Sequence, residues 1–285
     1  MTGSLLDVCL ALLLVSAAAG TLAATDDAAK TAPHAAESRA SETAATLATT
    51  TASVEYTIVA AEGTTGPDDA AASPEADRIA HGTLGEHLAR AVTRSATIDD
   101  TALSPAVGDY RRGVRRAVAD AVGSRTAIRA VWRPLPCAGL GATVRVGPRP
   151  PPTVTVRAAR FSVPVGASSV PAASESDTED GATTAASRAV AVLFPPDRIA
   201  AAARGDPIAS AAVTDRYRRA GRATGVDAIA RLKRGGPRSA NRALAAALAA
   251  DAEAGAAAES PAGERDACGS GDPTRVTIVV RTWSP

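Results

Sequence analysis

Histidine, cysteine and clustered arginine are the residue types in this chain whose spacing could support chemistry. His34 stands alone in a polar stretch, while His81 and His87 bracket the segment Thr83-Leu84-Gly85-Glu86. A zinc-binding helix needs two imidazoles four apart on one face. His81 and His87 do not have that spacing, so both are expected at the surface or at a helix cap. No Gly-Lys-Ser/Thr occurs, which excludes a phosphate loop. Gly139-Leu140-Gly141 lacks the third glycine and the following helix of a dinucleotide site. Gly269-Ser270-Gly271-Asp272 offers a serine, but a nucleophile needs a positioned base and nothing marks one, so it reads as a flexible loop. The sequence therefore yields no catalytic, cofactor-binding or metal-ligating residues, no cofactor and no small-molecule ligand.

Cys9 lies in an apolar segment, whereas Cys137 and Cys268 each precede a predicted strand by a few residues. In an oxidising exterior the latter two could bridge. They could equally remain two small buried thiols. Arg111, Arg112, Arg115 and Arg116 fall on one helical face. From Arg204 to Arg242 there are ten basic residues against three acidic, and from Thr25 to Ala80 ten acidic against three basic. These blocks offset to a formal net charge of +1. The arginine face is either a solvated helix surface or a site for a protein partner. Nucleic acid is excluded as a partner, because single-strand binding needs stacking aromatics and these make up only 2% of the chain.

The elements that must position these residues follow from the sequence pattern. Leu5 to Ala24 is an almost unbroken apolar run whose one charge is Asp7. Its length matches the roughly 20 residues of a membrane-spanning helix. Three readings stay open: a secretory signal cut after Ala23 or Ala24, an uncleaved anchor, and a pilin-like leader cut behind Gly3 that leaves Asp7 near the new N-terminus. Residues 25–52 read as a flexible stalk. Residues 53–285 read as an extracytoplasmic domain, with a disordered insert near 167–184.

Within that domain, Ser53 to Ala60 alternates as a strand. Thr83 and Glu86 form a capping-box pattern opening a helix to about Arg94. A second helix spans about Pro105 to Val122, with Tyr110, Val114, Ala117, Val118 and Ala121 on one stripe. Strands are expected at Ile128 to Trp132, Ala142 to Val146 and Thr153 to Val163. Pro195-Pro196 separates two helices, Asp206-Pro207 opens another, and Ser239 to Ala257 forms an Ala-rich one. The final strand is Arg275 to Trp283, pairing with the strands near 126–133 or 153–163. This order gives an α+β fold with a mostly antiparallel sheet and packed helices.

The chain resembles a family of uncharacterised haloarchaeal membrane-anchored or exported proteins, encoded near type-IV-pilus-like or secretion machinery. The likeness is carried by Leu5-Leu6-Asp7-Val8, His81-Gly82-Thr83-Leu84, Leu193-Phe194-Pro195-Pro196-Asp197-Arg198, Tyr217-Arg218-Arg219-Ala220, and Val279-Val280-Arg281-Thr282-Trp283-Ser284-Pro285. It implies an envelope location and a pilus connection, and it supplies no activity. The expectation is a membrane-tethered extracytoplasmic structural or interaction protein, held at the membrane through residues 5–24 and pilin-like or accessory to pilus or secretion assembly. The alternative is an envelope-anchored hydrolase with an unrecognised site.

Overall fold

A computed structural model describes residues 34–59, 75–104, 107–135, 137–166, 181–205, 207–259 and 271–284. Along the chain lie α1 (His34–Thr49), β1 (Thr51–Val59), β2 (Glu75–Thr83), α2 (Leu84–Arg94), β3 (Thr97–Ile98), β4 (Thr101–Ala102), α3 (Gly108–Ala121), β5 (Thr126–Trp132), β6 (Leu140–Val146) and β7 (Val156–Pro164). After these come α4 (Gly181–Leu193), α5 (Pro196–Gly205), α6 (Pro207–Thr224), α7 (Ala228–Glu259) and β8 (Arg275–Trp283).

Among the described residues, one sheet has six strands in the order β4-β3-β6-β5-β8-β7, and every pairing is antiparallel. The last strand in sequence is thus an interior one. β8 pairs with β5 on one side, placing Val280 opposite Ile128, and with β7 on the other, placing Ile278 opposite Phe161. Its side chains alternate as the sequence requires: Val276, Ile278 and Val280 are buried, while Arg281 is exposed. Both expected pairings of this strand are present together. A separate antiparallel hairpin joins β1 and β2.

Helices α1 and α2 pack on the six-stranded sheet, α1 over β7 and β8 and α2 over β5 and β6. Helix α3 lies against β1 and α2, and α4, α6 and α7 pack together at one end. Gly113 lets α3 approach the hairpin closely, because a Cβ there would stand 2.8 Å from Val54 Cγ1. Helix α7 is two helices joined at Gly236, whose φ of 68° only glycine adopts at little cost, followed by Pro237. Trp132, fully buried in β5, donates its indole N–H to the Pro273 carbonyl at 2.8 Å and so ties the entry of β8 to its neighbour.

Several expectations are corrected here. The stalk assigned to residues 25–52 is in fact structured from His34 onward: α1 buries Ala40, Ala44 and Leu47, and β1 begins at Thr51. Alanines at helical spacing carry a weak hydrophobic signal, which is why this segment reads as featureless. The insert assigned to 167–184 ends by Gly181, where α4 starts, and residues 167–180 lie outside the described residues. Strand β2 has no dense β-branched run, and it forms by register with β1. The apolar run 5–24 also lies outside the described residues, among which no helix is long and apolar enough to cross a membrane.

Because β8 is interior, Ile278→Ala in the intact chain removes a buried side chain from the sheet's centre. It is expected to lower unfolding free energy by about 2–5 kcal/mol, read by denaturant titration. A change under about 0.5 kcal/mol, the range of ordinary surface substitutions, would mark the strand as peripheral.

Candidate functional site

The first element of the site is a junction of rings around α3. Thr83 caps α2 reciprocally, its Oγ1 accepting from the Glu86 amide at 3.2 Å while Glu86 Oε2 accepts from the Thr83 amide at 2.9 Å. This fixes the helix start and so sets which face carries His87, Arg90 and Arg94. His87 is fully buried, not at the surface or cap as its sequence position implies. Its Nε2 lies 3.0 Å from the Ala52 carbonyl, which can only accept, so Nε2 carries the proton. Nδ1 then accepts from the Tyr110 hydroxyl at 2.8 Å. Burial lowers the His87 pKa, partly offset by the Ala52 hydrogen bond, and the nearby Arg90 charge lowers it further. The imidazole is therefore a neutral structural link between β1, α2 and α3.

Tyr56 meets Tyr110 edge to face with centroids 4.9 Å apart. The Arg94 guanidinium lies over both rings, 4.8 Å from the Tyr110 centroid and 5.5 Å from that of Tyr56. Each placement is a cation–π contact. Asp109 locks α3 to β1, its Oδ2 accepting from the Thr57 amide at 2.9 Å. That bond, together with Arg112, holds the carboxyl below its usual range.

A second ring junction lies where α4, α6 and α7 meet. Phe194 stacks on Tyr217 with centroids 4.5 Å apart. The buried Tyr217 hydroxyl donates to Asn241 Oδ1 at 2.7 Å, and Asn241 Nδ2 donates to the Phe194 carbonyl at 2.7 Å. The single asparagine of the chain thus closes a three-residue ring of contacts. Burial raises the Tyr217 pKa, so its hydroxyl stays a donor. Arg216 lies over the Phe194 ring, its guanidinium carbon 5.2 Å from the ring centroid. Arg216 Nε is buried without a hydrogen-bond partner.

Between the two junctions opens a cleft of about 470 Å³. Arg90 and Arg94 of α2 line one wall, Arg198 of α5 and Arg216 of α6 the other, and Val165, Val192, Leu193, Ile199 and Val213 supply apolar surface. Among the described residues one carboxylate, Glu86, borders it. Burial brings the Arg216 pKa down to about 10, and the Arg94 charge adds to the effect. The Arg216 guanidinium therefore stays cationic at neutral pH. The cleft can bind an anion. It is poorly equipped for acid–base or nucleophilic chemistry: the Thr93 hydroxyl donates to the Ala89 carbonyl at 3.1 Å, and Glu86 is engaged in the cap.

The sequence-level candidates are placed as follows. Arg111, Arg112, Arg115 and Arg116 are all exposed on α3, and Arg112 pairs with Asp109 at 3.1 Å. His81 is exposed on β2, with Nδ1 2.8 Å from Ser53 Oγ, while His34 lies at the start of α1. Cys137 is disulfide-bonded, and Cys9 and Cys268 lie outside the described residues. Cys137 sits against α7, where a Cβ on Gly255 would strike the Cys137 carbonyl. Among the described residues no group of three or more His, Cys, Asp or Glu side chains converges as a metal site. The cleft was missed because its residues come from segments far apart in sequence; the motif around Leu193 to Arg198 was its one visible trace.

A family model described as "Family of unknown function (DUF7284)" matches residues 6–283. No curated protein and no solved structure matches the chain.

The His87 link makes two measurable statements. His87→Ala removes the buried hydrogen bonds to the Ala52 carbonyl and the Tyr110 hydroxyl, an expected cost of about 1–3 kcal/mol in all. Its pKa is lowered on folding, so the unfolded chain takes up the proton more readily. The stabilisation is therefore full above the unfolded value of about 6.5 and is lost as pH falls below it. Thermal unfolding of the wild type is expected to weaken more steeply below that pH than that of His87→Gln. Identical pH profiles would contradict a buried neutral imidazole.

Proposed function

We propose that this chain, which belongs to DUF7284, is a membrane-tethered extracytoplasmic structural or interaction protein that is pilin-like or serves haloarchaeal pilus or secretion assembly. The apolar run from Leu5 to Ala24 supports the tether, being about as long as a bilayer span requires. The sequence likeness to envelope proteins supports the setting.

The observation that carries the interaction role is the exposed face of α3. Arg111, Arg112, Arg115 and Arg116 project from one side of a helix whose opposite side is anchored by Tyr110, Val114 and Val118, all fully buried. Along that face, the one ion pair among the described residues is Arg112 with Asp109. Guanidinium groups on a rigid helix suit an acidic protein surface, through bidentate contacts with carboxylates. The alternative, an envelope-anchored hydrolase, requires a nucleophile with a positioned base. The described lining of the cleft between α2 and the α5–α6 pair supports binding over catalysis, because its side-chain hydroxyl and its carboxylate are both already engaged.

The tether is tested by fractionating the full-length protein from native membranes. It is expected in the membrane fraction after high-salt and carbonate washes, and full-length protein in the soluble cytoplasmic fraction would overturn the assignment. The interaction face is tested by in-situ cross-linking of wild type against Arg111→Glu combined with Arg115→Glu. Both residues are exposed, so the melting temperature is expected to move little while the cross-linked species disappears. An unchanged cross-linking pattern would remove α3 as the contact.

A further inference from the structure

Among the described residues, the cleft between α2 and the α5–α6 pair is lined by more cations than anions. Four guanidinium groups, those of Arg90, Arg94, Arg198 and Arg216, and one carboxylate are found among the described residues that line it. That carboxylate, Glu86, makes no ion pair with them and accepts instead from the Thr83 amide. Arg94 and Arg216 are held by π faces, Tyr110 and Tyr56 for the one and Phe194 for the other. A ring face orients a guanidinium without neutralising it or occupying its N–H groups in the ring plane. Arg216 Nε remains buried and unpartnered. A desolvated donor without an acceptor is costly and calls for an explanation, and burial and the nearby Arg94 charge lower the Arg216 pKa.

We propose that this cleft is a binding site for a phosphate monoester carried on an apolar body. Three features select that chemistry. A phosphate monoester brings close to two negative charges at neutral pH and three acceptor oxygens, a better match to several converging guanidinium forks than a lone carboxylate. The apolar surface of Val165, Val192, Leu193, Ile199 and Val213 beside the cations has no use for a free inorganic ion, but it covers a hydrocarbon or aromatic substituent. The volume of about 470 Å³ is that of a small-molecule site. Arg94 and Arg216 grip the phosphate from opposite walls, and the exposed Arg198 completes the set at the rim. The site is distinct from the α3 arginine face and does not depend on it. The same head group occurs on lysophosphatidate lipids and on soluble aryl phosphates, and the two are separable by experiment.

The test is calorimetric titration of the full-length protein with four probes: 1-naphthyl phosphate, a short-chain lysophosphatidate below its micellar concentration, inorganic phosphate and 1-naphthoate. At least one of the two monoesters is expected to bind, at least about tenfold tighter than both inorganic phosphate and naphthoate. Binding of the lipid alone assigns a membrane-derived ligand, and binding of the aryl phosphate assigns a soluble one. Arg198→Met and Arg216→Met are each expected to weaken that binding by about tenfold or more, the loss of a charge-assisted contact. Arg115→Met on α3 is expected to leave it unchanged. Arg216→Met is expected to retain the wild-type melting temperature or exceed it, since it removes a guanidinium whose Nε is buried without a hydrogen-bond partner. The proposal is overturned if neither monoester binds at millimolar concentration. It is equally overturned if inorganic phosphate or naphthoate binds as tightly, or if both cleft variants bind like wild type.

Discussion

Among the described residues two arginine side chains are laid against aromatic rings, and the rest of the cleft follows from them. Arg94 rests over Tyr110 and Tyr56, and Arg216 rests over Phe194. Carboxylate partners would have fixed the same side chains and cancelled their charge. Ring faces fix them and leave the charge in place. The rings themselves are immobile because each is held by a hydrogen bond or a stack of its own: Tyr110 through His87, and Phe194 through Tyr217 and Asn241. Cations of this kind, held apart from acids within partly desolvated surroundings, form a preorganised anion site.

The scarcity of large side chains explains why these junctions dominate. The chain has two tryptophans, three tyrosines and two phenylalanines, and its core is otherwise alanine, valine, leucine and isoleucine. Small side chains bury little area each, so the few large ones sit where elements meet. Trp132 joins β5 to the approach of β8, Tyr110 joins α3 to α2 and the β1–β2 hairpin, and Tyr217 joins α6 to α7. The sheet depends on the same economy. β8 contributes Val276, Ile278 and Val280 between two neighbours, and without it β7 would have no partner.

What could be read from the sequence was local. The capping box at Thr83 and Glu86, the stripe of Tyr110, Val114, Ala117, Val118 and Ala121, and the alternation of the C-terminal strand each rest on residues within one element. The cap and the strand appear in the structure as expected, and of the stripe Tyr110, Val114 and Val118 are buried, Ala117 is half-buried and Ala121, in the last turn, is exposed. Helix α1 was not legible, since two of its three buried positions, Ala40 and Ala44, are alanines that mark neither face, and Leu47 alone sets no period. Strand β2 was hidden because it depends on pairing with β1. The fate of His87 was equally hidden, because its partners, the Ala52 carbonyl and Tyr110, lie elsewhere in the chain. The cleft belongs to the same class: Arg90, Arg198 and Arg216 sit on three helices whose adjacency no spacing encodes.

The functional picture is of a head displaying arginine in two different ways. On α3 the guanidinium groups are exposed and solvated, suited to a broad acidic surface. In the cleft they are oriented and partly desolvated, suited to one compact anion. The claim on which this rests is that ring faces, and not carboxylates, hold Arg94 and Arg216. Arginine-selective proton–nitrogen NMR of the ligand-free protein measures it directly. The prediction is two Nε–H signals shifted upfield by ring currents, one of which returns to the ordinary position in Phe194→Leu and the other in Tyr110→Leu. Signals for both arginines at unshifted positions in the wild type would contradict the account.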